Sequence, residues 1–90
     1  MNDIVYGKKP LIQVTHVEAR DDYHLWLQFS DGKQGLFDMR PYLDGTVFKP
    51  LKQVAFFNLA RVDYGTVVWP NEIDISVYRL YDECHINTAK

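Results

Sequence analysis

The stretch Tyr23-His24-Leu25-Trp26-Leu27-Gln28-Phe29-Ser30-Asp31-Gly32-Lys33-Gln34-Gly35-Leu36-Phe37-Asp38 decides how this chain folds. Tyr23, Leu25, Leu27 and Phe29 alternate with His24, Trp26 and Gln28, and a period of two marks a β-strand with one face buried. Asp31-Gly32 supplies a dipeptide that tolerates positive φ at both centres of a type I′ turn, so Lys33 to Asp38 is expected to return antiparallel to the first strand. Upstream, Leu11 to Ala19 is rich in β-forming residues and Asp21-Asp22 punctuates it. Together the three segments predict an antiparallel meander.

Beyond the meander the period changes. Asp38 is placed to cap a short helical turn through Pro41, Tyr42 and Leu43, because its carboxylate can accept an orphan amide hydrogen two or three residues on. Phe48, Leu51, Val54 and Ala55 have the spacing of a short helix starting near Pro50. Leu59 to Tyr64 and Thr66 to Trp69 read as two further strands around Gly65, with Pro70-Asn71 ending the second. Asp74 and Ser76 stand at the start of a last helix whose stripe is Val77, Leu80, Tyr81 and Cys84. The expected fold is α+β: a small two-layer domain with an antiparallel sheet of about five strands and two or three short helices packed on one face. Leu25, Leu27, Phe29, Phe37, Leu51, Trp69, Leu80 and Tyr81 are its expected core. Residues 1–10 are expected to form a flexible amino-terminal arm, 11–85 the single domain, and 86–90 a carboxy-terminal tail.

Size and composition narrow the function. A chain of 90 residues has room for one core. Its hydrophobic fraction of 47% and aromatic fraction of 14% argue against disorder and leave apolar surface for a partner. Ten basic against twelve acidic residues give a net charge of -2, so no overall field draws the chain to nucleic acid or anionic lipid. The basic residues Lys8, Lys9, Arg20, Lys33, Arg40, Lys49, Lys52, Arg61 and Arg79 are scattered, with no cluster interleaved with aromatics. A single cysteine, Cys84, permits no intrachain disulfide, and with no signal-peptide pattern it places the expected home in the bacterial cytoplasm, away from the membrane.

The chain resembles a small bacterial family, the domain of unknown function (DUF) 2442. The likeness rests on Leu25, Leu27, Phe29, Asp31 and Gly32 followed by Phe37, Asp38 and Leu43, on Phe48, Leu51 and Phe57, and on Thr66, Trp69, Pro70 and Asn71 with Asp74, Leu80 and Tyr81. What the resemblance implies is a compact α+β domain similar to the amino-terminal domain of a structurally determined Nitrosomonas protein, with no established activity. It also implies partner proteins in small two-gene cassettes. Some family members carry a helix-turn-helix after the Trp-Pro block; about twenty residues follow Trp69 here, too few for that DNA reader. Family members usually have Asn-Gly after Trp-Pro, whereas this chain has Asn71-Glu72, and glutamate is disfavoured at positive φ. A wider or different turn is expected there.

No catalytic constellation is legible. His16 and Glu18 would share one strand face and offer two metal ligands, but no third ligand and no zinc spacing accompanies them, so no metal or cofactor is expected. Cys84 lies on a helix stripe, where a free cysteine behaves as a small hydrophobe. Asp38, Asp74 and Ser76 are explained by helix capping, and no nucleophile, base and oxyanion donor are set up together, so an enzyme is not expected. Trp26 is different. Alternation puts it on the side of His24 and Gln28, away from the core, where an indole is costly to expose and common in binding hot spots. The chain is therefore expected to be a protein-interaction module, a homodimer or the partner of a small companion protein in a toxin-antitoxin-like pair, with Trp26, His24 and Gln28 at the contact. The competing classes are a nucleic-acid-associated regulatory component and a small enzyme or ligand binder.

Overall fold

The structure, a computed structural model, describes residues 11–86; the arm expected over residues 1–10 and residues 87–90 lie outside it. Three strands form the meander: β1 (Val14–Arg20), β2 (His24–Phe29) and β3 (Gln34–Asp38), all antiparallel. Leu25, Leu27, Phe29 and Phe37 are buried on one face, as the alternation requires.

The reversal between β2 and β3 differs in kind from the expected type I′ turn. Gly32 N–H donates to Phe29 O (3.0 Å) and Phe29 N–H to Lys33 O (2.8 Å), and only Gly32 has positive φ, at 98°. This is a three-residue loop, a type I turn closed by a left-handed glycine. Asp31 uses its carboxylate instead, accepting from Lys33 N–H at 2.9 Å. The two-residue turn with both centres left-handed lies elsewhere, at Tyr64 (φ 53°) and Gly65 (φ 73°) between β4 (Arg61–Asp63) and β5 (Thr66–Trp69).

The single five-stranded sheet is overturned. Two separate antiparallel sheets are present: β1-β2-β3, extended by the two-residue β7 (His85–Ile86), and β4-β5-β6, in which β6 is Ile73–Ile75. Alternation tells which face of a strand is buried and leaves its neighbour unspecified, so a sequence reading merged the two. β1 carries a bulge between Val14 and His16, and such an extra residue bends a strand and increases its twist. A single backbone bond, Val14 N–H to Gly65 O at 2.9 Å, joins β1 to the second sheet among the described residues.

The helical covering is also smaller than expected. The helix read from Pro50 is broken at Gln53 (ψ 117°) into a 3-10 turn, Lys49–Lys52, and the single-turn α1, Val54–Phe57. Tyr42 belongs to another 3-10 turn, Arg40–Tyr42. Only α2, Val77–Glu83, runs for seven residues. Ser76 Oγ accepts from Tyr78 N–H at its start, and the chain leaves the helix at Cys84 in extended conformation. No described helix is long and apolar enough to cross a membrane.

One hydrophobic cluster takes in both sheets: Leu25, Leu27, Phe29 and Phe37 from the first, Val67, Trp69, Ile73 and Ile75 from the second, and Leu51, Phe57 and Leu80 from the helical segments. Tyr81 packs against it half-buried, its ring edge-on to Phe29 at 5.0 Å. Cys84 is buried in the same cluster, and desolvation pushes its thiol pKa up, away from nucleophilic use.

The turn after Trp69 is a three-residue loop in which Asn71 (φ 70°) and Glu72 (φ 63°) are both left-handed. Glutamate therefore accepts the conformation that glycine would adopt freely, at a cost of about 1 kcal/mol. Glu72→Gly is expected to raise unfolding free energy by about 0.5–1 kcal/mol in urea denaturation. An unchanged or lowered midpoint would show that the Glu72 side chain stabilises the loop by more than its backbone strain.

Candidate interaction face

Antiparallel partners share a face, so the register fixes what the outer side of the first sheet presents. Across it run three rows: His16, Gln28 and Gln34; Glu18, Trp26, Leu36 and His85; Arg20, His24 and Asp38. All three histidines of the chain lie on this side. None of the described helices or strands covers it, and Trp26 and Leu36 sit at its centre, both half-buried.

The polar residues around the tryptophan are tied to one another. His16 Nε2 donates to Glu18 Oε2 at 2.9 Å, and Arg20 Nη2 to Glu18 Oε1 at 2.8 Å. These bonds, His16 first and Arg20 second, lower the Glu18 pKa below the usual carboxylate range. The Arg20 guanidinium carbon also lies 5.5 Å from the centre of the Trp26 ring, so it flanks the indole while remaining half in water. At the other end His24 Nδ1 donates to Asp22 O at 3.0 Å, and its Nε2 lies 3.9 Å from Asp38 Oδ2. Gln28 O accepts from Thr15 Oγ1 at 3.2 Å, fixing the β1–β2 edge below it.

Of Asp31, Asp38 and Asp74, Asp38 is the most heavily engaged carboxylate. Its Oδ1 accepts from Arg40 N–H at 2.9 Å and from Arg40 Nε at 2.9 Å, and its Oδ2 from Arg40 Nη2 at 2.9 Å. Arg40 in turn reaches Asp22 Oδ2 at 3.0 Å. The Arg40 guanidinium bonds lower the Asp38 pKa to about 2 against a smaller desolvation effect. A depressed folded-state pKa contributes stability above the unfolded value and loses it as pH falls from about 4 through about 2. Asp38→Asn is expected to flatten the stability-versus-pH slope in that window while costing about 1 kcal/mol at pH 7, solvent around Arg40 limiting the loss. An acid-unfolding curve identical to wild type would show that the pair contributes nothing.

Asp74 has a different setting. It is an exposed residue of β6, opposite Val68, and stands two residues before the Ser76 cap. The structure thus places Asp38 in the first sheet and Asp74 and Ser76 in and just after β6 of the second, and brings Trp26, His24 and Gln28 together on the outer side of β2. It adds Glu18, Arg20, Leu36 and His85 to their face. Pairing register is the signal that would have found these neighbours, and alternation within one strand does not carry it. Among the described residues no three histidine, cysteine, aspartate or glutamate side chains are grouped to hold a metal ion, so the His16–Glu18 pair lacks a third ligand there.

Comparison with known proteins places this architecture. The family described as "Protein of unknown function (DUF2442)" matches over residues 14–85, from the first residue of β1 to the first of β7. No curated protein and no solved structure matches at a significant level, so the likeness to a Nitrosomonas structure has no support there.

Proposed function

The chain belongs to the DUF2442 family of proteins of unknown function, and we propose that this domain acts as a non-enzymatic protein-interaction module, working through the open outer face of the first sheet. The observation that carries this reading is the placement of Trp26 and Leu36 side by side at the centre of a sheet face that no described helix or strand covers, ringed by paired charges. An apolar centre with a polar rim is the anatomy of a protein contact. The partner is a second copy or a small companion protein, and with the latter this domain is the neutralising half of a toxin-antitoxin-like pair.

The placement of basic groups favours protein over nucleic acid. Arg20 is paired with Glu18, Arg40 with Asp22 and Asp38, Arg61 with Asp63, Arg79 with Glu83, and Lys52 with Asp44. Lys33 lies over the Tyr81 ring and bonds its carbonyl. Cations so engaged would have to give up carboxylate partners to meet phosphates. The test of the self-association form is light scattering of the full chain from ~1 to ~100 µM. A mass that rises to twice that of the 10.6 kDa chain supports it, and a monomer throughout leaves only the companion-protein form.

A further inference from the structure

The histidines around Trp26 and Leu36 differ in what surrounds them. His16 bonds Glu18, which Arg20 also holds, and His85 shares a cleft at the β7 edge with Asp38, Asp82 and Glu83. His24 lies on the middle strand, half-buried, between Arg20 of β1 and Asp38 of β3. A backbone carbonyl can only accept, so the 3.0 Å contact with Asp22 O fixes the proton of the neutral ring on Nδ1 and leaves the lone pair on Nε2. That nitrogen lies 3.9 Å from Asp38 Oδ2, but Asp38 already accepts three bonds from Arg40, and Arg40 also holds Asp22. Glu18 and Asp38, both held below the usual carboxylate range by their hydrogen bonds, stay ionised between pH 8 and 5.5, the window in which histidines change charge.

A second copy can meet this face, indole to indole, about either of two axes lying in the plane of the sheet. An axis across the strands sets Glu18 against Glu18 and Arg20 against His16 of the second copy. An axis along β2 sets Arg20 against Asp38 and Glu18 against Leu36, while His24 meets the His24 of the second copy. Only the second arrangement opposes no like charges while the rings are neutral, so charge complementarity selects it. Among its facing pairs, the two His24 rings are the ones that become a like-charge pair in acid. Asp38 cannot relieve them, because its oxygens are bonded to Arg40 and it faces Arg20 of the second copy. Covering the rings also takes water from them, which further disfavours their charged form.

We propose that self-association through the Trp26 face is controlled by pH, with His24 as the controlling residue: the contact forms when both rings are neutral and parts when they are protonated. This rests on the self-association form of the proposed function. If each copy sheds one proton on association, Kd rises by up to about 100-fold per pH unit on the acid side of the transition.

Light scattering of the full chain at ~pH 8 and ~pH 5.5, at matched ionic strength, reads Kd, and circular dichroism reports the fold at both; a dimer at least about tenfold weaker is expected at the lower pH. His24→Gln should bring the ratio of the two Kd values close to one whatever its affinity, and His24→Lys should weaken the dimer at pH 8 at least about tenfold. His16→Gln and His85→Gln should keep most of the wild-type ratio. Imidazole NMR of the wild type at ~pH 6 follows the same proton without a substitution, and decides the matter should His24→Gln not associate. Its His24 shifts should move toward the neutral form as rising concentration forms the dimer. The proposal is overturned by a dimer with the same Kd at both pH values, by one that tightens in acid, by a ratio that survives in His24→Gln, or by His24 shifts that ignore concentration while the mass doubles. Those results leave the contact itself standing, whereas a wild type that is monomeric at pH 8 and ~100 µM overturns this inference together with the self-association reading.

Discussion

Trp69→Ala is expected to cost about 3–5 kcal/mol of unfolding free energy, the largest loss from any single truncation in this chain. The indole is 1% exposed, and its neighbours come from different parts of the fold. It stands in the second sheet opposite Ile73, lies 6.2 Å from the Phe57 ring of α1, and joins the cluster that holds Leu25, Leu27 and Phe37 of the first sheet. With one backbone bond between β1 and the second sheet among the described residues, such packing does the joining. The indole Nε1 also donates at 2.9 Å in a buried setting to Phe57 O, at the end of α1, a carbonyl it shares with Ala60 N–H. Trp69→Phe separates the two contributions: it keeps most of the bulk and removes one hydrogen bond, at about 0.5–1.5 kcal/mol, while Phe57 O still accepts from Ala60 N–H at 3.2 Å. Domains of this size have only about 5–10 kcal/mol in hand, so the alanine variant should show a greatly lowered urea midpoint and the phenylalanine variant an intermediate one. Equal midpoints for the two variants would mean that the hydrogen bond, and not packing, accounts for the whole effect. A wild-type midpoint for alanine would show that Trp69 does not join the sheets.

How far the sequence carried can be judged from particular residues. Leu25, Leu27 and Phe29 alternate without a break, and a face buried to this degree leaves β2 one orientation, so its strand and its neighbours β1 and β3 were legible. The last helix was legible from Ser76 and the stripe at Val77, Leu80 and Tyr81, except that Cys84 already lies past its end. Val67, Val68 and Trp69 are buried in succession, which erases the period of two and hides the sheet to which they belong. Ile73-Asp74-Ile75 is too short to register as a strand without knowing that Trp69 stands opposite Ile73. β1 also carries a bulge between Val14 and His16, and nothing in the residue types there announces it. The outward placement of Trp26 was readable because it needs one strand only, whereas its companions Glu18, Leu36 and His85 depend on pairing across four strands.

The second large effect is on assembly: Trp26→Glu is expected to convert a dimer to a monomer at micromolar concentration, weakening association about 100-fold without unfolding the chain. Trp26 makes no part of the buried cluster, so replacing it removes nothing from the core. On the outer face, a twofold axis running along β2 would lay β1 of one copy over β3 of the other. Arg20 of the first copy then stands level with Asp38 of the second, and Glu18 with Leu36, while the two indoles meet near the axis. Burying the exposed part of an indole on each side removes apolar area worth a few kcal/mol at about 25 cal/mol per Å², enough to decide a marginal dimer. Glutamate at the same place loses that area and sets two carboxylates against each other across the axis, each beside the existing Glu18. Light scattering at matched concentration reads the mass, and circular dichroism reports whether both proteins are folded. A folded glutamate variant that stays dimeric, or a wild type that is monomeric at ~100 µM, removes this face from the self-association surface.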